Sequence, residues 1–148
     1  MRGEAAEVDD RPSCALLLIV YIKPMAQLKP VEWIGSSRDD LKSFPGEVRE
    51  VIGEALYRAQ QGAEHPVAKA LKGFGGRGVL EVVDDFRGDT FRAVYTVRFA
   101  VVIYVLHVFQ KKAKKGIATP RHEIELIRTR LRRAEEHYRT HHGTQARS

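Results

Sequence analysis

Three strand-like runs between residues 79 and 109 constrain the fold of this chain more than any other feature. Val79–Asp85, Thr90–Val97 and Val101–Phe109 are rich in β-branched and aromatic residues, and only short turns separate them. Short turns join antiparallel neighbours, because a parallel connection needs a much longer crossover. The nearly continuous apolar content of the third run indicates a central strand that is covered on both faces. The sequence therefore predicts a small antiparallel sheet.

Helical patterns come before this sheet. Lys29–Ile34 is predicted to be a first strand, and Ser37 is predicted to cap a short helix over Arg38–Phe44. A longer helix is expected over Glu47–Gln61, where apolar residues recur at the spacing of one buried face, and Gly62 is expected to end it. Strand, two helices, three strands and a last helix make an α+β domain of helices packed on a sheet.

The remaining segments follow from local signals. Glu64–Gly78 is rich in Gly and basic residues and is predicted to be a loop. Thr119 is predicted to cap a last helix, with Pro120 in its first position and its end near Tyr138. The polar stretch His141–Ser148 is expected to be a frayed tail.

The domain limits are predicted from a change in character near residue 24. Residues 1–24 are first acidic and then abruptly apolar, and we expect them to be an extension ahead of a natural start at Met25. The alternative is an additional strand over Leu16–Ile22. Residues 25–138 are then the folded domain, and 139–148 a flexible tail.

Composition excludes several classes of protein. With 148 residues, 43% of them hydrophobic and 30% charged, the chain has the size and content of one globular domain. Cys14 is the single cysteine, which excludes an internal disulfide or a cysteine-based zinc site. The apolar run that begins at Cys14 is too short to cross a bilayer and follows acidic rather than basic residues. We therefore expect a cytoplasmic protein without a membrane partner.

The positive charge is concentrated in the last third of the chain. Residues 107–148 contain eleven Lys/Arg and four Asp/Glu, whereas residues 1–106 carry a net charge of −1. Such concentration indicates an anionic partner, although a solvated basic helix would give the same pattern.

A strand that leads into a basic cluster is the clearest chemical motif. Arg92 lies in the middle strand, and Lys111, Lys112, Lys114 and Lys115 follow the last strand directly. A rigid strand that positions cations suits contact with phosphate. From charge alone, lysines that only protect the sheet from edge-to-edge aggregation are an equal alternative.

Residues 29–138 resemble the RelE/ParE toxin superfamily, and within it the HigB-like branch of phage-derived, Gp49-like proteins. The matching segments, in the expected order, are VEWIGSSRDDLKSFPGEVREVIGEAL, KALKGFGGRGVLEV, FRAVY, YVLHVFQKKAKK and TPRHEIELIRTRL. The combination of FRxxY with YxLHxFxKK is the most specific part.

This resemblance implies the toxin of a toxin–antitoxin pair, an endoribonuclease that cleaves mRNA on the ribosome or free of it. It implies a metal-independent reaction without a cofactor, in which the RNA 2′-hydroxyl attacks the adjacent phosphate. It also implies a cognate helix-turn-helix, HigA-like antitoxin. By the same resemblance, Arg92 holds the phosphate, and Lys111 or Lys112 stabilises the transition state.

Further residues are RNA-contact candidates by type. Lys72 and Arg77 of the Gly-rich loop, with Lys114 and Lys115, are expected to hold RNA backbone, and Tyr95 to stack on a base. For Tyr95 the alternative is packing in the core. For Arg92 the alternative is an ion pair with Asp84, Asp85 or Asp89 across the hairpin.

Histidines offer weaker alternatives. Histidine can act as a general acid or base, but His107 lies in an apolar strand, which favours a hydrogen-bonded structural role. His122 is a less favoured catalytic partner. The trio His137, His141 and His142 has no carboxylate at ligand spacing, so a metal site is not expected there.

The run VLEVVDD departs from the family pattern, because active relatives usually present basic residues there. Many relatives have an arginine where this chain has Val83 or Asp84. Acidic residues would repel phosphate, although Glu81 could instead act as a general base. A ParE-like toxin that binds gyrase and a non-catalytic phage-derived protein that binds nucleic acid or antitoxin therefore stay open as alternatives.

Overall fold

The computed structural model describes residues 28–112 and 119–147. These form five strands and three helices in mixed order. The elements are β1 (Val31–Trp33), α1 (Ser37–Lys42), α2 (Gly46–Gln60), β2 (Lys69–Ala70), β3 (Val79–Phe86), β4 (Asp89–Thr96), β5 (Ile103–Lys112) and α3 (Arg121–Arg147).

All five strands belong to one sheet, in the order β1-β5-β4-β3-β2. The pairs β2–β3, β3–β4 and β4–β5 are antiparallel, whereas β1 pairs in parallel with β5. Arg87 and Gly88 form the two-residue turn between β3 and β4, and both have positive φ. That backbone is typical of a tight hairpin, and it fixes which residues of β3 and β4 lie opposite one another.

The two faces of the sheet carry separate apolar cores. One face packs on α2 and the other on α3, and β5 contributes alternate residues to both because it lies inside the sheet. The α2 core includes Val48, Ile52, Ala55, Leu56, Leu80, Val82, Ala93, Tyr95, Ile103, Val105 and Val108. The α3 core includes Val79, Val94, Phe99, Tyr104, Leu106, Phe109, Ile127 and Ala134.

An irregularity in β5 determines what faces α3. Val94 pairs with His107 and Tyr95 pairs with Val105, so Leu106 is an additional residue on β5. A bulge of this kind rotates the following side chains relative to the partner strand. His107 therefore lies opposite Val94, on the same face as Arg92.

The predicted α+β class and element order are confirmed, and the central covered strand is β5. Several local predictions were wrong. Ser37 does not cap α1, because its buried hydroxyl donates to Val105 O at 3.2 Å. Lys69–Ala70 is a short strand inside the predicted loop. α3 continues to Arg147, past the predicted end near Tyr138, since no proline follows that residue and Gly143 does not interrupt the helix.

Some predictions concern residues outside the described ranges. The start at Met25, the alternative strand over Leu16–Ile22 and the side chains of Lys114 and Lys115 belong to them. Among residues 28–112 and 119–147, no helix combines the length and apolar content that a bilayer crossing needs.

Candidate active site

The face of the sheet that carries Arg92 presents three parallel rows of side chains. Pairing across β3, β4 and β5 places residues of one row on the same face. The rows are Glu81, Val94 and His107; Val83, Arg92 and Phe109; and Asp85, Thr90 and Lys111.

An ion pair lies at the centre of these rows. Arg92 Nη1 donates to Glu81 Oε2 at 2.9 Å, and the two side chains are only 6% and 14% exposed. Among the described carboxylates, Arg92 therefore forms an ion pair with Glu81, whereas the sequence alternative was Asp84, Asp85 or Asp89. The pair is diagonal between neighbouring strands, so the hairpin register brings the two residues together.

Thr119 completes this group from the segment just ahead of α3. Its hydroxyl oxygen lies 3.1 Å from Arg92 Nη1 and 3.1 Å from Glu81 Oε2, so it accepts from the first and donates to the second. Thr119 is therefore not the predicted helix cap. Pro120 O instead accepts the first intrahelical bond, from Ile124 N.

A cavity of about 880 Å³ opens over this group. β3 forms its floor, the segment around β2 forms one wall, and the start of α3 forms the other. Its described lining consists of Pro66, Val67, Lys69, Ala70, Leu71, Lys72, Glu81, Val83, Asp85, Arg92, Thr119 and Ile124.

The lining combines cations, carboxylates and apolar side chains. Lys69, Lys72 and Arg92 supply three positive charges, whereas Glu81 and Asp85 supply two negative ones. Because Glu81 is paired with Arg92, the two lysines give the opening its positive excess. A concave site with an apolar wall and a few fixed polar groups is typical of a small-ligand or nucleotide site.

The predicted basic pair stands beside this cavity rather than in its described lining. Lys111 is half-buried and shares the face of Arg92, one row away, opposite Thr90. Lys112 pairs through its backbone with Asp89, and the structure describes no more of that residue. Among the described side chains, Lys69 and the predicted RNA contact Lys72 line the cavity, whereas Lys111 of the predicted catalytic pair does not.

Two predicted RNA contacts lie away from the cavity. Tyr95 is 1% exposed and belongs to the α2 core, on the opposite face from Arg92. A ring buried in this way cannot stack on a base, so the alternative of core packing holds. Arg77 is exposed, forms an ion pair with Glu64 and is not among the described residues that line the cavity.

His107 has hydrogen bonds at both ring nitrogens. Arg130 Nη1 donates to His107 Nδ1 at 3.2 Å, so the neutral ring carries its proton on Nε2 and donates to Glu123 Oε1 at 2.7 Å. Burial lowers the pKa of His107, and the bond to Glu123 opposes that shift. The favoured structural role of His107 agrees with these contacts, which connect β5 to α3.

His122 and His137 are not among the described residues that line the cavity. His122 is exposed beside Glu123, and His137 Nδ1 lies 2.6 Å from the hydroxyl of Tyr104. In the part of the chain that is described, no group of three or more His, Cys, Asp or Glu side chains is arranged to hold a metal ion.

Sequence patterns do not reveal Thr119 and Lys69 as site residues. Thr119 carries the local signature of a helix cap, and Lys69 is one of several basic residues in a Gly-rich segment. Only the pairing of β2 with β3 and the position of α3 place them at the cavity.

Comparisons with known proteins identify the family. Residues 39–132, more than half of the chain, match the family described as phage-derived protein Gp49-like (DUF891). The chain belongs to this Gp49-like family, which is the branch that the sequence resemblance predicts. A comparison with curated proteins found no match.

Two solved structures show a remote likeness. A mutant of the Escherichia coli toxin RelE in the free state aligns with 18% identity and a TM-score of 0.43, over 72% of this chain and 97% of that chain. A RelBE toxin–antitoxin complex from Mycobacterium tuberculosis aligns with 20% identity and a TM-score of 0.37, over 57% and 92%.

Proposed function

We propose that this protein is the toxin of a type II toxin–antitoxin system and cleaves mRNA, with Arg92 as the group that binds the scissile phosphate. The observation that carries the proposal is the position of Arg92, a buried guanidinium that lines an open, net-positive cavity beside a carboxylate. Arginine suits this task because its planar fork matches two phosphate oxygens and stays charged.

Glu81 of β3 does not argue against phosphate binding as strongly as the sequence suggests. Glu81 is held against Arg92 at 2.9 Å, so its charge is compensated where a phosphate would bind. A phosphate that binds Arg92 in place of Glu81 would leave the Glu81 carboxylate without its ion pair, next to the bound RNA. Glu81 is then placed to accept a proton.

The proposed reaction uses the RNA as its own nucleophile. The 2′-oxygen forms a bond to phosphorus, and its proton passes to Glu81. The bond from phosphorus to the 5′-oxygen breaks, and that oxygen leaves with a proton from a neighbouring donor or water. The products are a 2′,3′-cyclic phosphate and a 5′-hydroxyl. Arg92, with Lys72 and Lys111 at or near the cavity, would stabilise the charge that develops on the phosphoryl oxygens.

The proposal includes the partners that the family resemblance implies. These are cytoplasmic mRNA, the ribosome and a helix-turn-helix, HigA-like antitoxin that neutralises the toxin. Lys112, Lys114 and Lys115 belong to the proposal as additional RNA contacts. The reaction as written requires no cofactor.

The test compares three proteins on one RNA. Wild type, Arg92→Ala and Arg92→Lys are incubated with mRNA, with and without ribosomes, and the 5′ ends are mapped by primer extension. We expect cleavage by wild type and a loss of about 100-fold or more in both variants, as for removal of an electrostatic catalytic group. Arg98→Ala is the matched control, because Arg98 is an exposed arginine that is paired with Glu135 on α3.

Expression in cells separates the alternatives. New mRNA ends that disappear with Arg92→Lys support the nuclease. Growth arrest with intact mRNA and blocked supercoiling would indicate a toxin that binds gyrase. The absence of any phenotype would indicate a non-catalytic binding protein. Either result contradicts the proposal. Circular dichroism of each variant excludes loss of folding as the cause.

A further inference from the structure

Asp85 is a second carboxylate on the floor of the cavity. Glu81, Val83 and Asp85 alternate along β3, so all three point to the same face, and all three line the cavity. Arg92 lies opposite Val83, between the two carboxylates. At about 3.3 Å per residue, Asp85 is roughly 13 Å along the strand from Glu81.

A buried hydroxyl orients Asp85. Thr90 is 3% exposed, lies opposite Asp85 on β4 and donates from its Oγ1 to Asp85 Oδ1 at 2.8 Å. Asp85 itself is exposed, and none of the described Lys, Arg or His side chains forms an ion pair with it. Glu81 is neutralised within the site, whereas Asp85 presents its negative charge to the cavity.

A carboxylate in a site that binds RNA repels the phosphates and so opposes binding. Asp85 can offset this repulsion if it forms hydrogen bonds with another part of the RNA. The part of RNA that suits it is a base edge that donates hydrogen bonds. Guanine presents two adjacent donors, N1–H and the N2 amino group, to the two oxygens of one carboxylate. Adenine, cytosine and uracil each place an acceptor beside their donor, which a carboxylate repels.

The surroundings of Asp85 fit a base. Pro66 and Val67 line the cavity from the segment ahead of β2 and offer apolar contact to a ring. A cavity of about 880 Å³ lies in the range of sites that hold small molecules. Arg92 and Asp85 lie in adjacent rows of one face, since Arg92 pairs with Val83 and Asp85 follows Val83 by two residues, roughly 7 Å along the strand.

We propose that Asp85 binds the guanine of a nucleotide next to the scissile phosphodiester and makes the protein selective for guanosine. The preference for cleavage beside guanosine rests on the proposed nuclease function, whereas the binding of guanine at Asp85 does not depend on it. The two can therefore be tested separately.

Binding is tested by calorimetric titration with the 3′-monophosphates of guanosine, adenosine, cytidine and uridine. We expect guanosine 3′-monophosphate to bind wild type at least about tenfold more tightly than the others, which corresponds to about 1.4 kcal/mol. Asp85→Asn should remove this preference, and Thr90→Val should weaken it by loosening the carboxylate. Asp84→Asn is the matched control, since Asp84 pairs with Phe91 and points to the opposite face.

Cleavage is tested on RNA oligonucleotides that differ in one base beside the cut. Preferential cleavage at guanosine that Asp85→Asn abolishes supports the proposal. Equal binding of the four nucleotides, or a preference that Asp84→Asn changes as much as Asp85→Asn does, overturns it. If wild type cuts no RNA but still selects guanosine 3′-monophosphate, the nuclease function fails and the base site stands. If cleavage depends on Arg92 but shows no base preference, the base site fails and the nuclease function stands.

Discussion

Thr119 Oγ1 lies 3.1 Å from Arg92 Nη1 and connects the segment ahead of α3 to the centre of the sheet. The same hydroxyl donates to Glu81 Oε2, so it orients both members of the ion pair. Thr119 thereby acts as a positioning residue for the groups that we propose to bind and activate RNA.

Replacing Thr119 tests this role. We expect Thr119→Val to lower kcat for RNA cleavage by about tenfold with little change in KM, because a hydrogen bond to a charged group contributes about 1.5 kcal/mol. Thr119→Ser keeps the hydroxyl and should restore most of the rate. A serine variant as slow as the valine variant would show that shape, not hydrogen bonding, matters at this position.

The buried Glu81–Arg92 pair should show strong thermodynamic coupling. Glu81→Ala leaves a guanidinium that is 6% exposed without this partner, and we expect the free energy of unfolding to fall by about 3 kcal/mol. Adding Arg92→Met removes that charge and should recover at least about 1 kcal/mol of the loss. Urea unfolding of both single variants and the double variant measures the coupling, and strictly additive losses would contradict it.

Tyr95 is expected to be dispensable. Its hydroxyl is buried and has no hydrogen-bond partner among the described residues, and burial raises its pKa to about 12. Tyr95→Phe should therefore leave the melting temperature unchanged or raise it, because it removes an unsatisfied polar group, and cleavage should not change. Tyr104→Phe is the contrasting variant: it loses a bond to His137 and should cost about 1 kcal/mol. A cleavage defect in Tyr95→Phe would mean that the buried hydroxyl contributes to the reaction, which contradicts this expectation.

The fold could be predicted from the sequence because its signals are local. Runs of β-branched residues, the period of α2 and the turn at Arg87 and Gly88 each act over a few residues. The site depends on contacts between distant residues. Ser37 and Thr119 both have cap signatures, yet their hydroxyls bond Val105 O and the Glu81–Arg92 pair. A local sequence pattern does not show that a hydroxyl with a cap signature will instead bond to a residue far away in the chain.

The ion pair of Arg92 is a second contact that local sequence patterns do not predict. Sequence proximity to the turn favours Asp84, Asp85 or Asp89, whereas the register places Glu81 diagonally across from Arg92. A shift of one residue in the hairpin would have moved Glu81 to the α2 face. The family resemblance identified Arg92 as a site residue, but only the register identifies its neighbours.

Stability should fall in mild acid because of His107. Its pKa is lowered, chiefly by burial, so the unfolded chain binds this proton more readily than the folded one. The contribution of His107 is complete above about pH 6.5, the unfolded pKa, and is lost as the pH falls below that value. The charged groups that face the ring are Glu123 and Arg130 of α3 and Asp40 of α1.

The measurement is urea unfolding at several values between about pH 7.5 and about pH 5. His107→Gln should show a shallower loss of stability with acid than wild type, since glutamine does not titrate. His122→Gln changes an exposed histidine on α3 and should retain the wild-type slope. Identical slopes for wild type and His107→Gln would mean that this ring does not govern the acid response.

Lys72 and Arg77 should differ in their effect on RNA binding although both are cations of the same loop. Lys72 lines the cavity, whereas Arg77 is paired with Glu64 outside the described lining. Binding of an RNA with a 2′-deoxy sugar at the cut, which blocks cleavage, is measured by fluorescence anisotropy at increasing KCl. Lys72→Ala should weaken binding and reduce the slope of log K against log salt by about 0.7, the loss of one phosphate contact to a single strand. Arg77→Ala should leave the slope unchanged. An equal reduction in both variants would mean that the RNA follows the Gly-rich loop rather than entering the cavity at Arg92.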